Sequence, residues 1–488
     1  MPDTAPAVTL STPVAGASLL DRAFRRLATV WREMAAGVGG DAGGSVEDQI
    51  RACLDGRGGE VSARNRAARL AETYLGRDTP GRRAFLRSLA AFDADPDAVA
   101  LAYEAVRAAV DPAERATAQA ALRRALEPPR LRLLTQFTSI PDGRKFLVEL
   151  RAFLLAERGK DKLLAALESD LRGLLAAWFD IGFLELHRID WNSPAALLEK
   201  LVGYEAVHEI RSWRDLKNRL DSDRRCYAFV HPRMPDEPLI FVEVALVQGL
   251  ADSVQRLLDE KAPVLDPRAA DTAIFYSISN CQRGLAGISF GNFLIKRVVE
   301  ELAGEFRNLR AFATLSPVPG FRAWLDPKLS EADPGLLTEA ETQAIAAAVP
   351  GQPHAALAAI LEKRGFWRDP ASMRVVEPVL LRLCARYLLR EGAGRRALDP
   401  VAHFHLSNGA RLERIMLAAD TSDKAQKASA TMMVNYLYDR DRIEAYHEDY
   451  AGEGTRHASA AARDLLSARR WPMAAAQKGL FRTQGGGA

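Results

Sequence analysis

The sequence predicts an α+β multidomain fold, with an N-terminal all-α helical bundle followed by a mixed α/β domain that carries a helical insertion. Three observations point to it. From Leu19 to about Leu186 apolar residues recur every three or four positions, and the breaks hold Gly, Pro or Asp, the period and punctuation of amphipathic helices. From residue 226 the pattern changes to short apolar, partly β-branched runs, the mark of strands. Helical periodicity returns over 335–392 before strand-like alternation resumes. The expected division is a tail at 1–17, a bundle at 18–186, a mixed domain at 187–475 with its insertion at about 330–395, and a tail at 476–488.

Within the bundle the clearest helices are 19–35, 97–110, 113–126 and 161–179. The segment is rich in alanine and has no fixed-period repeat, so its expected role is structural or oligomeric. CYAFVH (226–231) and PLIFVEVALV (238–247) read as a hairpin around a turn at 232–237, and a helix is expected at 249–260. TAIFYSIS (272–279) reads as a strand, and the loop 280–291 leads from it into an amphipathic helix at 293–306. A second strand at 309–315 runs into SPVPGF (316–321), where two prolines and a glycine hold Ser316 on a turn. VAHFHLSNGA (401–410) alternates like a strand that stops at Asn408-Gly409, which would put His403 and His405 on one face and Phe404 on the other. An aromatic cluster, VNYLYD (434–439), and a helix near 458–469 follow.

A chain of 488 residues exceeds one ordinary core, and two or three domains are the expectation. With 48% hydrophobic and 26% charged residues it has the composition of a folded protein and not of a disordered one. The 66 basic and 63 acidic side chains leave a net charge of only +3, without the basic excess that nucleic-acid binding needs. A small anion is still possible. Cys53, Cys226, Cys281 and Cys384 lie far apart with no C-x-x-C pair, so neither a zinc knuckle nor a disulfide framework is expected, and a reducing compartment suits them. No apolar run approaches the roughly 20 residues of a membrane span. The Arg-rich stretch 22–32 reads better as part of an amphipathic helix than as a transit peptide. The expected location is the cytoplasm, with no membrane and no nucleic acid as partner.

Gly284, Gly287 and Gly291 stand just ahead of a helix, where backbone N–H groups can hold phosphate oxygens. The spacing matches neither the P-loop nor the dinucleotide fingerprint, and a plain tight turn explains the glycines equally well. Ser289 can be that helix's N-cap. Ser316 is either a turn residue or a nucleophile-like hydroxyl at a strand end, His405 either a bonded core imidazole or an acid–base group, and Tyr436 and Tyr438 are core residues by default.

Several blocks resemble the malonyl-CoA decarboxylase family: AIFYSIS (273–279), QRGLAGISFGNFLIKRVVEEL (282–302), LSPVPGF (315–321), PVAHFHLSNGA (400–410) and NYLYD (435–439). Similarity extends over most of the chain from about Gly182 onward. The resemblance implies a GNAT-like catalytic domain after the helical bundle, and conversion of malonyl-CoA to acetyl-CoA and carbon dioxide without metal or organic cofactor. It implies Ser316, His405 and Tyr438 as catalytic residues. It places CoA on the loop residues Gln282, Arg283, Gly284, Leu285, Ala286, Gly287, Ser289 and Gly291. A homodimer or larger homo-oligomer through the helical domain is implied as well. Some family members carry a glutamate at the position of Ser289, and Glu243 is a candidate substitute, either in that role or as a buried carboxylate with a structural partner. A CoA-dependent acyltransferase and a non-catalytic acyl-CoA sensor or scaffold are the competing readings.

Overall fold

A computed structural model of the chain describes residues 44–56, 58–288 and 294–467, together with Thr29 and Trp31. The expected helix at 19–35, apart from those two residues, and the candidate residues Ser289 and Gly291 lie outside the described residues. The chain forms two compact units. One is Met1–Lys217 with Cys226–Phe241 and Ile278–Gly291; the other is Asn218–Arg225 with Val242–Ser277 and Asn292–Ala488.

The first unit is built on helices whose starts are written in the sequence. Ser45, Asp78, Asp95, Asp111 and Asp161 each accept a backbone N–H from the helix that follows, which satisfies donors that have no partner inside the helix. Proline occupies the first turn at Pro96 and Pro112, where its missing N–H costs nothing. Helices Gly143–Glu157 and Lys162–Trp178 turn Phe146, Leu147, Leu154, Leu167 and Leu171 inward, and Trp31, Phe137 and Tyr74 pack edge-on around Phe146. Helices Pro96–Ala108 and Pro112–Ala125 are different, for neither buries a residue. Leu101 on the first of them and Val110 in the link between them stay 77% and 86% exposed.

The strands, in chain order, are β1 (Glu185–Ile189), β2 (Arg224–His231), β3 (Met234–Val247), β4 (Thr272–Asn280), β5 (Ala311–Thr314), β6 (Ser316–Pro317), β7 (Gly392–Ala393), β8 (Arg396–Ala397), β9 (Arg411–Met416) and β10 (Met433–Leu437). The main sheet runs β1-β2-β3-β4-β5-β10-β6, with β9 also paired to β10, while β7 and β8 form a separate ribbon. β4 and β5 are parallel, and helix Leu294–Glu305 lies between them in sequence, turning Ile295, Val298, Val299 and Leu302 inward. Under this part of the second unit, Ile274, Tyr276, Ala313, Leu315 and Met433 share one core.

Several expectations are corrected. β1 was not expected, because ELHRI is an edge strand whose side chains are mostly uncovered and shows no buried alternation. The hairpin turn is shorter than 232–237, since β3 already begins at Met234; prolines 235 and 238 remove a donor only, which a strand tolerates where its N–H has no ladder partner. The helix expected at 249–260 shrinks to Val254–Leu257. Gly249 takes the left-handed region at φ 70° and donates its N–H to Asp271, so the chain turns there and does not coil. The last described helix is Ala460–Asp464. Among the described residues no single helix is long and apolar enough to cross a membrane, and all four cysteines are buried and none is in a disulfide.

Candidate active site

The second unit brings Ser316, His405 and Tyr438 into one hydrogen-bonded row. Ser316 Oγ lies 2.9 Å from His405 Nε2, and His405 Nδ1 lies 2.8 Å from Tyr438 Oη. Each member is placed by a different element. Ser316 is the first residue of β6, paired with Val434 of β10, so it sits in a short strand and not on the turn expected of it. Tyr438 follows β10 and donates its backbone N–H to Phe312 O.

His405 is carried by a helix, Pro400–Ser407, and not by the strand expected at 401–410. Asp399 accepts the N–H groups of Val401 and Ala402, and Pro400 fills the first position; this aspartate–proline start outweighs a period-2 pattern only six residues long. Gly409 ends the turn at φ 79°, and a Cβ there would lie 2.0 Å from Ile443 O. On a helix, residues two apart diverge. His403 therefore turns to Tyr450 Oη, 2.8 Å away, while His405 faces Ser316, and the shared face expected for the two imidazoles does not exist.

The site is dry. Ser316, His405 and Tyr438 keep 6%, 3% and 1% of their exposure, and the His405 ring stacks on Tyr436 with centroids 4.6 Å apart. Burial pushes the His405 imidazole down to about 3 and the phenols of Tyr436 and Tyr438 well above their ordinary range, because a charge formed there gives up its water. The row is therefore neutral at physiological pH, with protons shared between oxygen and nitrogen. Asp399 is also raised by burial and is committed to capping the helix.

This has a measurable consequence. The unfolded imidazole titrates near 6.5 and the folded one near 3, so between those values the unfolded chain binds more protons. Stability is then full above pH 6.5 and falls as pH drops towards 3, by on the order of a few kcal/mol from this residue. Equilibrium unfolding at stepped pH should show the decline in wild type and less of it in His405→Asn. The pH profile of kcat/KM should show no acid limb near 6.5; a limb there that disappears in His405→Asn would mean the folded imidazole is not held neutral.

The loop residues proposed for CoA belong to the first unit. Gln282 is buried, its side chain bonded to Lys145 Nζ and Pro238 O. Arg283, Gly284 and Leu285 form a short 3-10 turn. Gly284 is a close approach: a Cβ there would stand 1.7 Å from Val148 O, and its carbonyl accepts from Arg151, which also pairs with Glu168. Arg283, Ala286 and Gly287 are exposed, and Gly287, at φ 72°, offers its carbonyl to Arg172. Glu243 is buried in β3 and bonded to Arg219 at 3.0 Å. Sequence reading missed Thr314, whose Oγ1 lies 2.8 Å from Ser316 Oγ. The signal was available, since residues two apart on an extended strand share a face.

A neutral hydroxyl–imidazole–phenol row buried on a mixed sheet has the groups that general acid–base chemistry uses. Two family models match the chain, the malonyl-CoA decarboxylase C-terminal domain over residues 182–476 and the N-terminal domain over 92–179. The chain belongs to the malonyl-CoA decarboxylase family. It is 37% identical over 421 residues to a mitochondrial malonyl-CoA decarboxylase of Anser anser anser, covering 83% of each chain. With the mitochondrial enzyme of Mus musculus it shares 39% over 328 residues, 65% of this chain and 67% of that one. The crystal structure of a malonyl-CoA decarboxylase from Rhodopseudomonas palustris matches with a TM-score of 0.78 at 41% identity, covering 86% of this chain and 100% of that one. The structure of the Agrobacterium vitis enzyme matches with the same score and identity over 99% of its chain.

Proposed function

We propose that this protein decarboxylates malonyl-CoA to acetyl-CoA and carbon dioxide, with Ser316, His405 and Tyr438 as its acid–base residues. Family membership supplies the substrate, and the row of two short hydrogen bonds is the observation that carries the chemistry. Cleavage of the bond between the α-carbon and the carboxylate releases carbon dioxide and leaves its electron pair in the thioester enolate. A proton drawn ultimately from solvent then closes the α-carbon to a methyl group. The thioester carbonyl accepts the electron pair itself, so the scheme calls for no metal and no organic cofactor. Ser316 and His405 would grip the departing carboxylate with its C–C bond perpendicular to the carbonyl plane, then serve the protonation. The loop residues 282–287, Ser289 and Gly291 remain the proposed CoA contacts, with the N–H groups of Leu285 and Ala286 committed to Gln282 O and Arg283 O inside the loop.

The GNAT-like description of the mixed domain and a cytoplasmic location belong to the same proposal; four buried cysteines, none in a disulfide, support a reducing compartment. A homo-oligomer formed through the helical unit is supported by Leu101, Tyr103 and Val110, which stand exposed on and beside a helical pair that buries nothing. Incubating the purified protein with malonyl-CoA, without added metal or nucleotide, tests the activity. Acetyl-CoA and carbon dioxide in equal amounts are expected. Acyl transfer only when an amine acceptor is added would make it an acyltransferase, and binding without turnover would make it a sensor.

A further inference from the structure

We propose that the Thr314 hydroxyl is a positioning residue for the acid–base row, holding Ser316 Oγ against His405 Nε2 and setting which atom of the imidazole carries the proton. The case begins in the sheet. β5 and β10 are antiparallel with Leu437 opposite Ala313, which places Tyr436 opposite Thr314 one step along. Two residues further, Tyr438 N donates to Phe312 O at 2.8 Å. Antiparallel pairs alternate between bonded and non-bonded, so Tyr436 N is due to donate to Thr314 O. It donates to Thr314 Oγ1 instead, at 3.1 Å, and Thr314 O receives the side-chain amide of Asn435 at 2.7 Å. A side-chain hydroxyl has been substituted into the ladder, next to Ser316, and Thr314 is fully buried.

That substitution fixes the hydroxyl, because a backbone N–H can only donate. Thr314 Oγ1 and Ser316 Oγ then share a bond 2.8 Å long, and either hydroxyl can rotate to donate. If Ser316 donates to Thr314, the Thr314 proton is left without an acceptor inside the sheet, a costly arrangement. If Thr314 donates to Ser316, every group is satisfied in turn: Ser316 donates to His405 Nε2, His405 Nδ1–H donates to Tyr438 Oη, and the spare proton lies on Tyr438. A malonyl thioester offers only acceptors, so a spare proton on the phenol is useful where one on Thr314 is not. This step rests on the function proposed above.

The experiment compares Thr314→Val, which keeps the shape and removes the hydroxyl, with Thr314→Ser, which keeps the hydroxyl. kcat and KM for malonyl-CoA are measured beside thermal melting and the 15N shifts of His405 in protein labelled only at its 8 histidines. His405→Asn identifies the signal. Wild type should show the proton on Nδ1. Thr314→Val should lose on the order of 10-fold in kcat with KM within about 2-fold, one hydrogen bond's worth, and its His405 signal should move towards the other tautomer. Thr314→Ser should recover both. An unmoved His405 signal in a folded Thr314→Val, or a Ser variant as impaired as the Val variant, would overturn the proposal alone. A moved signal with unchanged kcat would overturn the role of the Ser316–His405 pair in the chemistry, and the proposal with it.

Discussion

Alanine at Ser316 or at His405 is expected to lower kcat on malonyl-CoA by about 10²-fold or more, the range of a lost acid or base. The Ser316 hydroxyl and the His405 imidazole lie 2.9 Å apart among buried groups, so truncating either removes one end of the same hydrogen bond. Because they act as one unit, the double variant should be little slower than either single one. Tyr438→Phe keeps the ring and removes one hydrogen bond, and a smaller loss, roughly 10-fold, is expected there. His405→Ala also opens a cavity beneath Tyr436, so its melting midpoint has to be measured beside its rate, whereas Ser316→Ala removes one oxygen and isolates the chemistry. Near wild-type turnover in both single variants would remove the assignment.

How far the sequence discloses this site varies residue by residue. Ser316 and His405, far apart in the chain, are paired only through the family resemblance of their blocks, and the structure puts them in contact. The element under His405 is misread because six residues fit both periods; Asp399-Pro400 is the stronger signal, carrying its physics in a side-chain oxygen and a missing N–H. Thr314 and Asn435 are harder. Their role exists only because one ladder bond is replaced by side chains, and that depends on a partner strand more than a hundred residues away. Gly284 shows the opposite error: its glycine is legible as a backbone requirement, but here the requirement includes the close passage of Val148, which a local reading of the loop does not contain.

Glu243 is the position where sequence leaves two roles open, and its replacement by alanine should cost about 3–5 kcal/mol, the price of stranding a buried cation. Its carboxylate has no exposure and meets the guanidinium of Arg219, itself 2% exposed, at 3.0 Å. Removing the carboxylate takes this ion pair away from a guanidinium held in the core, and a fall of roughly 10 °C in the melting midpoint is the expected size. The pair itself need not stabilise the fold, because desolvating both ions offsets most of their attraction. Arg219→Met combined with Glu243→Leu should therefore recover much of what Glu243→Ala loses, which a catalytic carboxylate could not do for turnover. Glu243→Gln separates the two roles directly. As a structural partner it should melt lower and keep its kcat at a temperature where it is folded. If instead it melts like wild type while turnover drops by about 10²-fold, Glu243 is acting in place of the glutamate that some family members carry at the position of Ser289.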